Sequence, residues 1–272
     1  MLVSCKTTDH EGYKRIKDSV HFKLITIGDQ SGKVLDDSYI SFRVDAFNLG
    51  DELLAQKAFY RVQVSKNTLP DVVNQILLRA YQGDSLSIIG NVEQLEINQW
   101  FSPLVFEQDS QLIKLEFSIT EVFSAEQLLQ IRAEERLKAD FEMKGQVELR
   151  RALDSLNYGD DHAWQGIYFE TIRNGDGLTP KPGLTAYVHY KTYLLDGTPI
   201  DNTYNGEPFE YMVGKPDQVI RGFGLALSRM NSGGKARFLI PSELAFGERG
   251  SSSGIVAPFM GLIYEAELIE VR

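Results

Sequence analysis

An α+β fold, made of two small β-rich domains joined by a long helix, is what this 272-residue sequence predicts. Three observations lead there. Both ends of the chain carry short runs of β-branched and aromatic residues that alternate with polar ones and stop at Gly, Asn or Asp. Between them, residues 125–156 hold no Pro and one Gly, and they mix charges of both signs with spaced leucines. The two β-rich ends also repeat one another in pattern and order. Residues 167–176 (IYFETIRNGD) echo 22–29 (FKLITIGD), and 187–197 (YVHYKTYLLDG) echo 41–51 (SFRVDAFNLGD). The closing run 262–271 (LIYEAELIEV) echoes 112–122 (LIKLEFSITEV), and an apolar helix precedes Gly83 in one copy and Gly233 in the other.

Taken in order, residues 6–17 read as a polar tether. Residues 21–27 form a first strand ended by Gly28-Asp29, and residues 39–47 a second ended by Asn48-Leu49-Gly50-Asp51. Residues 60–64 form a third. Residues 69–81 keep helical spacing through Val72, Val73, Ile76, Leu77 and Ala80 and stop at Gly83. Strands at 86–89 and 112–122 complete a small antiparallel set. Residues 125–156 predict one helix, or two broken near Gly145, with a reach of about 45 Å. Its apolar stripe is too thin for a coiled coil, so it reads as a spacer packed on one domain or as a dimer contact. The resulting division is 1–17 tether, 18–124 first domain, 125–160 helical linker and 161–272 second domain.

Composition excludes several classes of function. The net charge of −10 and pI near 5.0 leave no basic stripe for nucleic acid. No run of 18 apolar residues offers a membrane span. His10, His21 and His162 are scattered and form no metal-ligand cluster, and no cofactor motif is present. The single cysteine excludes an internal disulfide. It sits in Leu2-Val3-Ser4-Cys5, which resembles the lipobox of bacterial lipoproteins, where cleavage precedes a Cys that carries diacylglycerol. The charged and apolar stretches of a signal peptide are missing ahead of it, so that reading implies a longer natural N-terminus. The alternative is an incidental tail cysteine.

The segment 218–247 (QVIRGFGLALSRMNSGGKARFLIPSELAFG) reads as an apolar pocket without a nucleophile–base pair, a metal cluster or a phosphate loop. Its neighbourhood supplies more motifs: Val188-His189-Tyr190, the Asp196-Gly197 turn, Pro208-Phe209, Gln218-Val219-Ile220-Arg221-Gly222-Phe223, Leu244-Ala245-Phe246-Gly247 and Gly254-Ile255-Val256-Ala257-Pro258. In this combination and order, residues 166–272 resemble the FKBP-type peptidyl-prolyl cis-trans isomerases. The resemblance implies a half-open antiparallel sheet wrapped around one short helix, here about 222–230. It also implies a chemistry that needs no acid or nucleophile. An X-Pro bond prefers trans only slightly, yet its rotation crosses a barrier of ~18–20 kcal/mol because amide resonance is lost. A site that binds the twisted imide better than either planar form lowers that barrier, and a twisted imide is less dipolar, so a dry apolar socket suits it.

Carried over residue by residue, the resemblance puts Phe223 at the pocket floor beside Val219 and Ile220, whose backbone N–H would bind the substrate carbonyl. Tyr190, Phe209 and Tyr264 become aromatic walls, Asp201 the polar group near the twisting carbonyl, and Ile255 and Val256 part of a loop folding over the proline. Three positions depart from the family pattern: Ile200 replaces a Phe, Phe223 a Trp, and Phe246 a Tyr whose hydroxyl donates to bound ligand. Each keeps the site apolar, and together they predict weaker macrolide binding and reduced activity. Without the resemblance, such aromatics and aliphatics in a small β domain read as core. Asp201 fits that reading less well, since a buried carboxylate is costly unless partnered. His189 alternates with Val188 and Tyr190 and is expected on the other face of its strand.

In the first copy the position matching Tyr190 is Val44, and that matching Asp201 falls near Ala55. Nothing there matches the Leu-Ala-Phe-Gly or Gly-Ile-Val-Ala-Pro motifs; residues 91–106 occupy that region, and Trp100-Phe101-Ser102-Pro103-Leu104 within it either exposes an apolar surface to a partner or packs onto the sheet. This copy reads as a catalytically silent FKBP-like domain that holds substrate, dimerises or spaces. The expected function is a prolyl isomerase assisting folding in the bacterial envelope, tethered through Cys5 and acting on unfolded or extended proline-containing polypeptides. A membrane is met only through that lipid, and a homodimer is compatible. The rival is a non-catalytic peptide-binding or structural lipoprotein module with the same fold. Ile200 and Phe246 favour the rival; Asp201, Tyr190 and the intact Val219-Ile220 edge favour the enzyme.

Overall fold

The computed structural model describes residues 10–17, 19–65, 67–101 and 111–272. Two antiparallel sheets are separated in sequence by one helix, α3 (Ala125–Leu156), and the chain divides inside that helix into two units, the first ending at Ala133 and the second running Glu134–Arg272. Cys5 and residues 102–110 lie outside the described residues.

The first unit contains β1 (Lys14–Lys17), β2 (Val20–Thr26), β3 (Tyr39–Phe47), β4 (Leu53–Gln63), α1 (Asp71–Leu77), β5 (Ser85–Asn91), α2 (Ile97–Trp100) and β6 (Leu112–Phe123). Its strand order is β1-β2-β5-β6-β3-β4. Alternation along β6 sends Ile113, Leu115, Phe117 and Ile119 into a core shared with Val72, Val73, Ile76 and Leu77 of α1. Several expectations need correction here. The third strand begins at Leu53 rather than Tyr60, because its first half pairs with β3 down to Phe47↔Leu53. The segment expected as a tether ends in β1, which pairs with β2, and the Tyr13 hydroxyl is 2.6 Å from Ser87 Oγ. Helix α1 is shorter than its apolar periodicity: Pro70 caps it and the chain turns at Leu78. Phe101 is packed into the core at 4% exposure.

The second unit contains β7 (Ala163–Trp164), β8 (Ile167–Arg173), β9 (Thr185–Leu194), β10 (Pro199–Asn202), β11 (Phe209–Met212), α4 (Arg221–Ser228), β12 (Lys235–Ile240), short 3-10 turns at Ser242–Leu244 and Gly247–Arg249, and β13 (Leu262–Val271). Read from its β7 edge the strand order is β7-β8-β12-β13-β9-β10, with β11 also paired to β9. This is the order of the first unit, strand for strand. The match extends to details. Gly83 and Gly233 both sit after the helix at φ of +81° and +83°, a conformation glycine adopts without strain. Their N–H groups donate to Ile119 O at 2.8 Å and Leu268 O at 2.7 Å, in the last strand of each unit. The internal repeat is therefore a repeat of fold.

The C-terminal sheet is covered on both faces. Phe223, Ala226 and Leu227, spaced i, i+3, i+4 on α4, are buried on one face against Phe238, Ile240 and Tyr264. On the other face Leu149, Ala152, Leu153 and Leu156 of α3 meet Leu195, Leu239 and Ile263. Each buried side chain of Leu or Phe size contributes about 1.5–3 kcal/mol, so the second half of α3 is a structural part of this unit. The helix runs unbroken through Gly145.

Candidate active site

Between the sheet and the N-terminal end of α4 lies a cavity of about 420 Å³, lined by Tyr190, Phe209, Asp217, Gln218, Val219, Ile220, Phe223, Phe246 and Tyr264. Phe223 is its floor, 2% exposed, because the first turn of α4 faces the sheet. Rings stand around it edge-on or tilted: Tyr190 at 5.4 Å and 72°, Tyr264 at 5.0 Å and 53°. Phe209 meets Tyr190 at 5.9 Å and 79°. Phe238, behind the wall, stacks on Tyr264 at 5.6 Å and 12°. Such contacts add about 0.5–1.5 kcal/mol each beyond burial, and they fix the shape of the apolar surface.

Polar groups enter at two places. The first is β10, where the Tyr190 hydroxyl donates to Asp201 Oδ2 at 2.8 Å and the Asn202 N–H donates to Oδ1 at 2.8 Å. The pairing Asp201↔Thr192 brings the carboxylate alongside β9, two residues from Tyr190. Asp201 is exposed, not buried, so the expectation of a costly buried carboxylate does not hold. The pair polarises the tyrosine instead. Burial, reinforced by the hydrogen bond to Asp201, raises the Tyr190 phenol well above its ordinary range. Burial, with a smaller contribution from the Asp201 charge, pushes Tyr264 up to about 12. Both phenols are neutral at physiological pH, so the aromatic walls themselves carry no charge.

The second place is Ile220, the residue capping α4, with φ −62° and ψ 149°. It lines the cavity, and among the described residues its N–H meets no acceptor. A donor at a helix N-terminus is suited to a carbonyl or an anion.

The other sequence-predicted residues sort as follows. Val219 lines the cavity, and Ile200 packs, partly buried, against the same core. Phe246 lies at the rim, 39% exposed, just before the Gly247–Arg249 turn. Ile255 and Val256 do not line this cavity. Ile255 is 56% exposed and borders a separate hollow with Leu195 and Met260, while Val256 is a core residue whose N–H donates to Ser251 Oγ at 2.9 Å. His189 points away as expected, stacking on Tyr204 at 4.9 Å. Asp217 and Gln218 were not foreseen in the lining. Gln218 ties the segment down, accepting from the Met212 N–H at 3.0 Å; it opens the motif that runs to Phe223, while Asp217 lies just outside that motif.

The same positions in the first unit follow from strand register and cap. Tyr190 faces Ala266 where Val44 faces Phe117. Asp201 pairs with Thr192 where Ala55 pairs with Ala46, and Phe209 with Val188 where Phe59 pairs with Phe42. Phe223 becomes Val73 and Tyr264 becomes Leu115. Ile220 becomes Pro70, which has no N–H. Both polar features of the cavity are gone.

Comparison with known proteins finds a family match over most of the second unit. Residues 177–269 match the family of FKBP-type peptidyl-prolyl cis-trans isomerases. The chain is 41% identical over 107 residues to the FKBP-type 22 kDa peptidyl-prolyl cis-trans isomerase of Escherichia coli, covering 39% of this chain and 50% of that protein. It is 34% identical over 139 residues to the E. coli FKBP-type isomerase FkpA, covering 51% of this chain and 49% of that one. A solved Pseudomonas syringae peptidyl-prolyl cis-trans isomerase aligns at 27% identity and a TM-score of 0.42, covering 49% of this chain and 94% of that one. The chain thus spans about half the length of the curated relatives it matches. Over residues 177–269 it carries an FKBP-type domain, the domain of a family of peptidyl-prolyl isomerases.

Proposed function

We propose that the second unit catalyses cis–trans isomerisation of X-Pro bonds in unfolded or extended polypeptides. The observation that carries this is the pairing of an aromatic cavity roomy enough for a prolyl ring and its neighbours with two polar features at its edge: the Tyr190–Asp201 hydrogen bond and the unpaired Ile220 amide. The proline ring occupies the surface of Phe223, Tyr190 and Tyr264. The carbonyl that follows the proline accepts from Ile220 N–H, and the carbonyl preceding it swings toward Asp201 as the imide twists. No bond is made or broken. The site acts by binding the twisted imide, whose loss of resonance makes it less dipolar, better than the planar forms. Every 1.36 kcal/mol of that preference is tenfold in rate.

The first unit, lacking the amide donor at Pro70 and the aromatic and acidic positions, serves as a silent partner that holds or spaces. We assign the chain to the bacterial envelope, attached through a lipidated Cys5. A non-catalytic binding module is the second reading, favoured by Phe246, which has no hydroxyl, and by Ile255, which stands away from the cavity.

Exchange spectroscopy on a short X-Pro peptide tests the choice. The isomerase reading expects the full chain at substoichiometric concentration to accelerate exchange between the isomers. Saturable peptide binding without acceleration would leave the binding module. For the anchor, mass spectrometry of protein isolated from its native membranes is expected to find a diacylglycerol on Cys5; an unmodified cysteine rules it out.

A further inference from the structure

We propose that α3 is a positioning element for the pocket, acting at Gly145 through Phe259 on the segment that carries Phe246; this rests on the isomerase reading of the cavity. A glycine inside a 32-residue helix is unfavourable relative to alanine, so its presence calls for a local reason. A Cβ at position 145 would lie 2.1 Å from Phe259 O and 3.2 Å from Phe259 Cβ. The helix backbone therefore rests directly on the Phe259 carbonyl. Phe259 has φ +59°, a conformation that bulky residues hold only when their surroundings impose it. Its N–H donates to Gly247 O at 2.8 Å, and Gly247 follows Phe246 at the pocket rim. The contact thus passes from α3 to Phe259, to Gly247 and to Phe246 without a gap.

Two further observations make the arrangement a brace. Lys138 Nζ, seven residues before Gly145, pairs with Glu248 Oε2 at 2.9 Å, a second contact from the same helix to the residue after Gly247. Leu149, Ala152, Leu153 and Leu156 fasten the helix to the sheet immediately after Gly145. The helix cannot back away there, so a side chain at 145 must displace the 247–259 segment, and Phe246 with it.

The test uses the full chain carrying Gly145→Ala. Well below its unfolding midpoint and with its far-UV spectrum unchanged, the variant is expected to lose about tenfold in kcat/KM on a short X-Pro peptide, mainly through KM, as a displaced binding wall requires. A purely structural glycine would lower the unfolding midpoint and leave KM of the folded protein alone. The two changes are expected to be non-additive: in a Phe246→Ala background Gly145→Ala loses its effect on KM. If Gly145→Ala does not fold, Lys138→Ala run through the same cycle with Phe246→Ala is expected to show a smaller coupling of the same sign. Unchanged KM or additive changes overturn the proposal. A chain that binds peptide without turnover sinks the isomerase reading alone, because the amide resonances of Phe246 and Gly247 still report the brace. Shifted resonances in Gly145→Ala then support it, and unshifted ones overturn it.

Discussion

Replacing Tyr190 by Phe removes one oxygen and leaves the ring that walls the cavity. That oxygen donates to Asp201 Oδ2 at 2.8 Å. A hydrogen bond to a charged group contributes about 1.5–3 kcal/mol net when dry, and about 0.5–1.5 kcal/mol when ordinary. Asp201 is exposed, so water takes the vacated place and the lower range applies. If the hydroxyl serves to aim the carboxylate at the twisting imide, that energy appears in the transition state, and kcat/KM falls by about two- to twelvefold. Stability changes little, because the ring contacts to Phe209, Phe223 and Tyr264 survive. The assay is isomerisation of a short X-Pro peptide by wild type, Tyr190→Phe, Asp201→Ala and the double variant. Asp201→Ala is expected to lose more than Tyr190→Phe, and the double variant no more than Asp201→Ala alone. Full activity in Tyr190→Phe beside a crippled Asp201→Ala would refute the reasoning, since Asp201 would then act without being aimed.

Ile220→Pro transplants the first unit's cap: the φ of −62° at Ile220 suits proline, as −52° at Pro70 shows, so the fold is expected to survive while loss of the amide cuts kcat/KM by about tenfold or more. Retained turnover would remove the amide from the mechanism. Stability is expected to fall on the alkaline side: the folded chain holds the Tyr264 proton to about 12 while the unfolded chain releases it near 10.0. Between those values the unfolded state binds fewer protons, so this contribution, on the order of 3 kcal/mol, is complete below pH 10 and lost as pH rises through about 12. Denaturant midpoints at pH 9 and 11 should therefore differ less in Tyr264→Phe than in wild type; an equal drop would remove Tyr264 as the cause. Phe246→Tyr restores a hydroxyl at the rim and is expected to tighten macrolide binding by about two- to twelvefold in a titration, with no change counting against Phe246 as a ligand contact.

Much of this architecture is legible in the sequence because alternation and helical spacing are strong, local signals. The strands around Val188 and Tyr264 and the helix around Phe223 show both. The offset of the repeat is legible too: the spacing that sets Val44 at Tyr190 sets Ala55 near Asp201, and the ladders place both on equivalent rungs, although the half of the strand that holds Ala55 is not itself predicted. The brace at Gly145 is hidden because it depends on a non-local backbone approach, and along the chain a glycine there reads as a weak point. The positions of Ile255 and Val256 are hidden for a related reason. Their loop is shaped by Ser251, Gly250 and the underlying core, not by its own pattern, so the motif predicts a contact with the cavity that the loop does not make. Strand β1 was obscured by its four-residue length and charged side chains.

The most direct test of a working prolyl isomerase is catalysis of the slow, proline-limited refolding of a model protein by wild type and Asp201→Ala in parallel. Catalytic amounts of wild type are expected to accelerate the refolding, and Asp201→Ala is expected to lose more than the loss of about two- to twelvefold predicted for Tyr190→Phe. No acceleration by a folded, peptide-binding wild type, or equal acceleration by both proteins, contradicts it.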